Sequence, residues 1–226
     1  MSKNNLAKSE ETIRWALAEF NNPIITTGLN LSGTVLLDIS ARAGFAGDVI
    51  FVDTGFHFPE TLSFWDSLEA RYTQMRFKKL GPTLETGPLF ETDPLGCCKL
   101  NKIAPLEQYL SEVKPSALIN ARTRESAIGR SGLKEFESGS PAQINPLVNL
   151  TRADLEEYAN IANLTIHPLY LYGFMSMGCW PCTKPVRAGD DPRSGRFSGQ
   201  GRTECGLWEN LGTNLEQNRN DKMLGS

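Results

Sequence analysis

Three short apolar runs, each ending in polar or glycine residues and each leading into a helix-compatible stretch, most constrain how this chain can fold. Pro23-Ile24-Ile25-Thr26-Thr27 runs into Gly28-Leu29-Asn30-Leu31-Ser32-Gly33 and a helix from about Thr34. Asp48-Val49-Ile50-Phe51-Val52 ends at Asp53-Thr54-Gly55, with a helix from about Pro59, where proline suits the first turn. Ser116 to Asn120 carries Ala117-Leu118-Ile119 and is followed by a basic segment. Strand–helix alternation at this spacing predicts parallel βαβ units in a three-layer α/β fold. Ligands of such folds sit beyond the carboxyl ends of the strands. All three runs end in polar, glycine or basic residues suited to line a pocket there.

Around this frame, the pattern predicts a helix over Ser9 to Phe20, with Ile13, Ala16, Leu17 and Phe20 on one face. It predicts a third strand over Gln74 to Lys78, a loop from Gly81 to Gly96 and a helix from Lys102 to Val113. Ser131 to Pro141 reads as a surface loop, and Thr151 to Ala162 as a helix capped by Thr151 with Asp154 three residues on. Regular periodicity fades beyond Gly173. The expected organisation is one α/β domain over 1–187 and a mobile tail over 188–226, consistent with a chain of 226 residues.

A net charge of −3 gives no global attraction to nucleic acid or acidic membranes. No run approaches the about 18 apolar residues of a membrane span. Met1 to Phe20 lacks an apolar secretory core. The expected compartment is the cytoplasm, where disulfides are rare.

The five cysteines stand as Cys97-Cys98, Cys179-x-x-Cys182 and a lone Cys205 in Thr203-Glu204-Cys205-Gly206-Leu207. Only folding can bring the two pairs together. Thiolate is a soft ligand that selects zinc or iron–sulfur clusters. Zinc sites usually space paired cysteines by two to four residues, which a vicinal pair meets poorly. A 4Fe–4S cluster, with separate iron corners, suits the spacing better than zinc; structural thiols are the plain alternative. Cys205 is left as a candidate nucleophile, since a thiolate is strongly nucleophilic.

The loop Thr27-Gly28-Leu29-Asn30-Leu31-Ser32-Gly33 joins a strand to a helix, so its backbone N–H groups can meet an anion; many such loops merely turn and cap. Arg122 and Arg124 follow the Ser116–Asn120 strand, and guanidinium groups suit phosphate or sulfate oxygens. Arg193, Arg196 and Arg202 lie between the C-x-x-C and Cys205. They would surround an anionic substrate if the tail folds over the pocket, and would favour a nearby thiolate, against Glu204. Of the two histidines, His57 follows a strand end and can line the pocket, whereas His167 before Pro168 reads as structural.

Cys97-Cys98-Lys99-Leu100-Asn101-Lys102, Gly178-Cys179-Trp180-Pro181-Cys182-Thr183 and Glu204-Cys205-Gly206-Leu207 occur in an order that resembles the assimilatory adenylylsulfate reductases of the sulfonucleotide reductase family. Asp53-Thr54-Gly55-Phe56-His57-Phe58-Pro59-Glu60-Thr61 and Asn145-Pro146-Leu147 match it too, and the likeness runs from about Ile24 to Leu207. The resemblance implies a PP-loop (adenine nucleotide α-hydrolase-like) parallel sheet. It implies that Cys97, Cys98, Cys179 and Cys182 hold a 4Fe–4S cluster and that Lys102 lies between cluster and substrate. Arg193 and Arg196 would engage the phosphosulfate from the tail side, Arg122 or Arg124 from the strand side. Thr27, Gly28, Asn30, Ser32, Gly33 and Asp53 complete the expected substrate-binding set. Cys205 would attack the sulfate sulfur, expelling AMP and leaving an S-sulfocysteine that thioredoxin or glutaredoxin resolves to sulfite. Adenosine 5′-phosphosulfate (APS) is the substrate implied by the four cluster cysteines, with the 3′-phosphorylated form (PAPS) as the alternative. A PP-loop ATP pyrophosphatase in sulfur transfer would carry a Ser-Gly-Gly-x-Asp-Ser loop, which is absent. Self-association is compatible with the sequence.

The chain departs from the family pattern in four places, two of them being Asn120-Ala121-Arg122-Thr123-Arg124 in place of Gly-x-Arg-Arg and Trp208 in place of the closing histidine. The phosphate loop replaces the family's Ser-Phe-Gly or Ser-Gly-Gly, and Phe197-Ser198-Gly199-Gln200-Gly201 stands where the family is rich in tryptophan.

Overall fold

The computed structural model describes residues 3–82, 87–126, 130–200 and 202. Its strands are β1 (Pro23–Thr26), β2 (Asp48–Val52), β3 (Arg76–Leu80), β4 (Ala117–Asn120), β5 (Phe136–Glu137) and β6 (Ala142–Ile144). Its α-helices are α1 (Lys3–Glu19), α2 (Leu31–Arg42), α3 (Pro59–Arg71), α4 (Leu89–Thr92), α5 (Pro94–Cys98), α6 (Ala104–Val113) and α7 (Arg152–Ile161). The strands form one sheet in the order β3-β2-β1-β4-β6-β5. The chain moves outward from β1 to β3 and then crosses to the other side of β1 for β4. β1 therefore pairs in parallel with both β2 and β4. The gap beyond the carboxyl ends of β1 and β4 is where an open α/β sheet receives a ligand.

Alternation along the strands sends successive side chains to opposite faces. Ile24, Ile50 and Leu118 pack with Leu106, Tyr109 and Leu110 of α6 on one face. Ile25, Val49, Phe51 and Ile119 belong to the larger core, with residues of α1, α2, α3 and α7. Each such aliphatic side chain contributes roughly 1.5–3 kcal/mol on burial. The α6 face has few members, so Leu106, 1% exposed, is a position where truncation to Ala would cost roughly 2–5 kcal/mol.

The sheet differs from a purely parallel one at its edge, where β5 runs antiparallel to β6. Both are very short and lie in or just after the segment expected as a loop; two or three residues carry no readable alternation. Helix α1 starts before Ser9 because Ser9 is an interior residue: its hydroxyl is buried and donates to Pro146 O at 2.8 Å. β3 sits two residues later than expected, in register with β2 from Asp48↔Arg76 to Val52↔Leu80. The Thr151 cap is as expected, with Asp154 N–H donating to Thr151 Oγ1 at 3.1 Å and the reciprocal bond from Thr151 N–H at 3.0 Å. Of the expected mobile tail over 188–226, residues 188–200 and 202 are described, and the rest, with Glu204 and Cys205, lies outside the described residues. Among the described residues, no helix is long and apolar enough to cross a membrane.

Candidate active site beside a four-cysteine pocket

A cleft of about 400 Å³ opens beyond the carboxyl ends of β1, β2 and β4. Thr27, Gly28, Asn30, Ser32 and Gly33 line it from the loop into α2, and Lys102, Arg122, Arg193 and Arg196 supply cations around it. These nine expected substrate residues are thus brought together. Asp53 and Arg124 are not in the lining. Asp53 Oδ1 accepts from Gly55 N–H at 3.0 Å, closing its own turn. Arg124 is exposed and turned away, with Nε donating to Leu133 O at 2.8 Å and Nη1 to Asn149.

The β1–α2 loop is held from within. Leu29 takes the left-handed conformation at φ 59°, and its N–H donates to Thr27 Oγ1 at 3.1 Å. A Cβ at residue 33 would overlap that same hydroxyl, so Gly33 is required by close approach. Asn30 Oδ1 accepts from Met177 N–H at 2.9 Å, and Leu31 N–H donates to Tyr170 Oη at 2.9 Å. Thr27 and Asn30 therefore shape the loop as well as line the cleft. The N–H groups of a first helical turn have no intrahelical acceptor, and Ser32 and Gly33 put that turn of α2 at the cleft wall.

Two elements position the arginines. Arg122 Nε donates to Asn145 Oδ1 at 2.9 Å, and its Nη2 pairs with Glu137 at 3.1 Å. Asn145 is fully buried, and its Nδ2 donates to Lys134 O at 2.8 Å, so Asn145 orients Arg122. On the other side, Phe197 N–H donates to Cys182 O at 3.0 Å and Lys184 N–H to Gly195 O at 2.8 Å. This backs the arginine segment onto the C-x-x-C turn. Arg196 Nη1 donates to Met177 O. A methyl group at Gly178 would overlap the Arg196 guanidinium, so the residue before Cys179 makes room for a cleft cation.

The cysteine pocket adjoins the cleft. Cys97, Cys98, Cys179 and Cys182 line it with Thr54, Phe56 and Lys102, and none of the four is in a disulfide. Cys97 and Cys98 close α5, and the chain continues through a π-helical turn over Lys99–Ile103. Such wide turns are frequent at functional sites. This one sets the vicinal pair and Lys102 on one wall. Each sulfur meets a hydrogen-bonding group: Asn101 Nδ2 at 3.5 Å from Cys97, Arg202 Nη1 at 3.5 Å from Cys98, the Thr54 hydroxyl at 3.1 Å from Cys179 and Gln200 Nε2 at 3.7 Å from Cys182. Burial pushes the Cys97 thiol up; the Asn101 bond opposes this, and the three other thiols add to it.

The donor set suits a soft metal centre, since three buried cysteines and the half-buried Cys179 accumulate negative charge only with a cation among them. A single tetrahedral ion with metal–sulfur bonds of about 2.3 Å requires closely convergent ligands. No group of three or more His, Cys, Asp or Glu among the described residues meets that condition.

His57 lines the cleft and is held neutral. Burial, then the charge of Lys102, lowers its pKa to about 4. Its Nε2 lies 3.1 Å from Val52 O and so carries the proton. His167 is the structural residue expected: it is fully buried, and its Nε2 lies 2.9 Å from Thr61 Oγ1. Arg202 corrects an expectation, because it reaches Cys98 and does not line the cleft. Sequence reasoning did not pick out Thr54, Asn145, Tyr170 or Gln200 as single residues. Their roles depend on partners distant in sequence; only Thr54 and Asn145 stood inside family motifs.

Fold and site together define a nucleotide-binding α/β protein with a cationic cleft at the switch point of its sheet and a thiol site alongside. Residues 22–185 match the model of the phosphoadenosine phosphosulfate reductase domain, and the chain belongs to that family. It is 47% identical over 206 residues to the adenosine 5′-phosphosulfate reductase of Deinococcus radiodurans, covering 88% of this chain and 81% of the relative. It is 33% identical over 209 residues to the enzyme of that name from Bacillus pumilus, covering 87% and 89%. Among solved structures, a phosphoadenylyl-sulfate (PAPS) reductase from Candida auris, in a phosphate complex, superposes with a TM-score of 0.68 at 25% identity, covering 82% of this chain and 98% of that one. An FMN adenylyltransferase of Candida glabrata shares the fold, with a TM-score of 0.65 at 14% identity over 89% of this chain and 75% of that one.

Proposed function

We propose that the protein is an assimilatory sulfonucleotide reductase that converts APS to sulfite and AMP. The observation that carries this reading is Lys102, which lines both the nucleotide-sized cleft and the four-cysteine pocket. One cation thereby faces an anionic substrate and a thiolate site at once. The names of the relatives at 47% and 33% identity support the same substrate.

In this reading the nucleotide lies along the carboxyl ends of β1 and β4, with the first turn of α2 and Arg122 beside it. Lys102, Arg193 and Arg196 neutralise the phosphosulfate and the phosphate that leaves, which is where charge develops in the transition state. The Cys205 thiolate attacks the sulfate sulfur; an S–S bond forms as the sulfur–oxygen bond to the phosphate breaks, and AMP departs with that electron pair. A dithiol such as thioredoxin then attacks Cys205 Sγ. Sulfite leaves with the S–S electron pair, and the second thiol releases the enzyme by forming the dithiol's disulfide. Thiols thus supply both electrons. Cys97, Cys98, Cys179 and Cys182 would hold a 4Fe–4S cluster, which when bound supplies a fixed electrostatic field and a covalent tie between the two cysteine pairs.

The test is mass spectrometry of anaerobically purified protein incubated with APS, and separately with PAPS, without thiol. A sulfo adduct on the Cys205 peptide is expected, faster with APS. Faster labelling by PAPS would reassign the substrate. No adduct with either nucleotide, in protein that binds AMP and contains iron and sulfide, would overturn the reductase mechanism.

A further inference from the structure

The segment after Phe197 departs from the tryptophan-rich pattern of the family, and its replacement side chains meet the cysteine site. The Arg202 guanidinium uses its whole fork. Nη1 donates to Cys98 Sγ at 3.5 Å, Nη2 to Pro94 O at 3.4 Å, and Nε and Nη2 to Gln200 Oε1 at 2.9 and 2.7 Å. With its carbonyl fixed in this way, Gln200 directs Nε2 toward Cys182 Sγ at 3.7 Å. Cys98 belongs to the vicinal pair and Cys182 to the C-x-x-C, so the two side chains span both halves of the site.

The base of this arrangement is Phe197, which is 3% exposed. Its ring carries the Arg202 guanidinium at 4.5 Å and the cleft residue Arg196 at 4.8 Å. Its carbonyl accepts from Gln200 N–H at 2.9 Å, and its own N–H donates to Cys182 O at 3.0 Å. Cys205 follows Arg202 by three positions in the sequence.

We propose that Gln200 and Arg202 form a clamp that fastens the segment leading to Cys205 onto the four-cysteine site, through one sulfur of each cysteine pair. The inference rests on the reading of Cys205 as the nucleophile and of the four cysteines as a ligand set. Its physical consequence is a coupling between that site and the reactive tail. A metal-bound sulfur is anionic, and a guanidinium donates to an anionic acceptor more strongly than to a neutral thiol. The clamp therefore closes more firmly on a metal-loaded site than on an empty one, and neither Gln200 nor Arg202 lines the cleft.

A glutamyl endopeptidase tests this directly, because Glu204 lies two residues beyond the clamp. Cleavage there is timed in full-length protein with measured iron and sulfide content, before and after chelation. Loaded wild type is expected to be cut roughly ten-fold more slowly than Arg202→Ala, with Gln200→Ala and Arg202→Lys intermediate. Chelation should speed cleavage of wild type and leave Arg202→Ala nearly unchanged. Iron release to a chelator should also be several-fold faster in Arg202→Ala, since Cys98 has lost the Arg202 donor. Equal cleavage and equal iron release in wild type, Arg202→Ala and Gln200→Ala, all loaded and all binding AMP, would overturn the clamp. Wild type that takes up no iron or sulfide would instead sink the cluster reading. The clamp would then be judged on iron-free wild type against Arg202→Ala, where equal cleavage rates overturn it.

Discussion

The Thr54 hydroxyl and Cys179 Sγ lie 3.1 Å apart and share a hydrogen bond that joins the end of β2 to the C-x-x-C turn. Trp180 N–H reinforces the junction by donating to Phe56 O at 2.8 Å. The thiol site is thus anchored to the sheet that forms the cleft. Thr54→Val removes the hydroxyl at nearly constant volume and should cost about 1 kcal/mol at this contact. Iron release from loaded protein, followed with a chromophoric chelator, should be several-fold faster in Thr54→Val and close to wild type in Thr54→Ser. Identical rates in Val and wild type would remove the hydroxyl from the account.

Arg122 and Arg124 separate cleanly by geometry, since one lines the cleft on Asn145 and the other is tied outward to Leu133 and Asn149. A charge-assisted hydrogen bond to substrate is worth roughly 1.5–3 kcal/mol. Arg122→Ala should therefore raise KM for the sulfonucleotide by about 10–100-fold. Arg124→Ala should leave KM within about three-fold. The reverse ranking in steady-state assays would move the binding role to Arg124.

Gly178→Ala should displace a cation without altering any charged residue. The new methyl group overlaps the Arg196 guanidinium, which must then leave its place at Met177 O. The expected result is a fall in kcat/KM of at least ten-fold with AMP affinity reduced less, because Arg196 is assigned to charge that develops during sulfur transfer. Wild-type kcat/KM in this variant would show that Arg196 does not need its observed position.

Acid should destabilise the protein through His167. Burial lowers its folded pKa to about 4, partly opposed by Glu60, against 6.5 for the free imidazole. The unfolded chain takes up this proton near pH 6.5, whereas the folded chain does so only near 4. The contribution to stability is complete above about pH 6.5 and is lost as pH falls from there toward 4. Urea unfolding of wild type and His167→Gln between pH 7 and 4.5 checks this. The wild-type stability should fall more steeply with acid, by up to about one proton's slope. Parallel curves would mean that His167 does not titrate between the two states in this way.

Much of the frame was legible in local sequence. The apolar runs at Ile24–Ile25, Val49–Val52 and Ala117–Ile119 are strands because their alternate residues can serve two buried faces. The Thr151/Asp154 cap is legible because a capping box is satisfied within four residues. The short edge strands β5 and β6 were not, since their conformation follows from pairing with each other and with β4 and not from a pattern of their own.

The site divides in the same way. Residue types and spacing determined which groups are candidates for the chemistry: two cysteine pairs, a glycine-bearing loop after β1, arginines on either side and a lone cysteine near the end of the sequence. Tertiary structure alone decided that Lys102 is shared by cleft and thiol pocket, that Arg122 faces inward while Arg124 faces out, and that Arg202 serves a sulfur. Those outcomes depend on Asn145, Leu133, Pro94 and the π-helical turn at Lys99–Ile103, which supply acceptors and direction. Hydrogen bonds between residues far apart in the chain have no signature in sequence spacing; only packing the sheet and its loops brings donor and acceptor within reach.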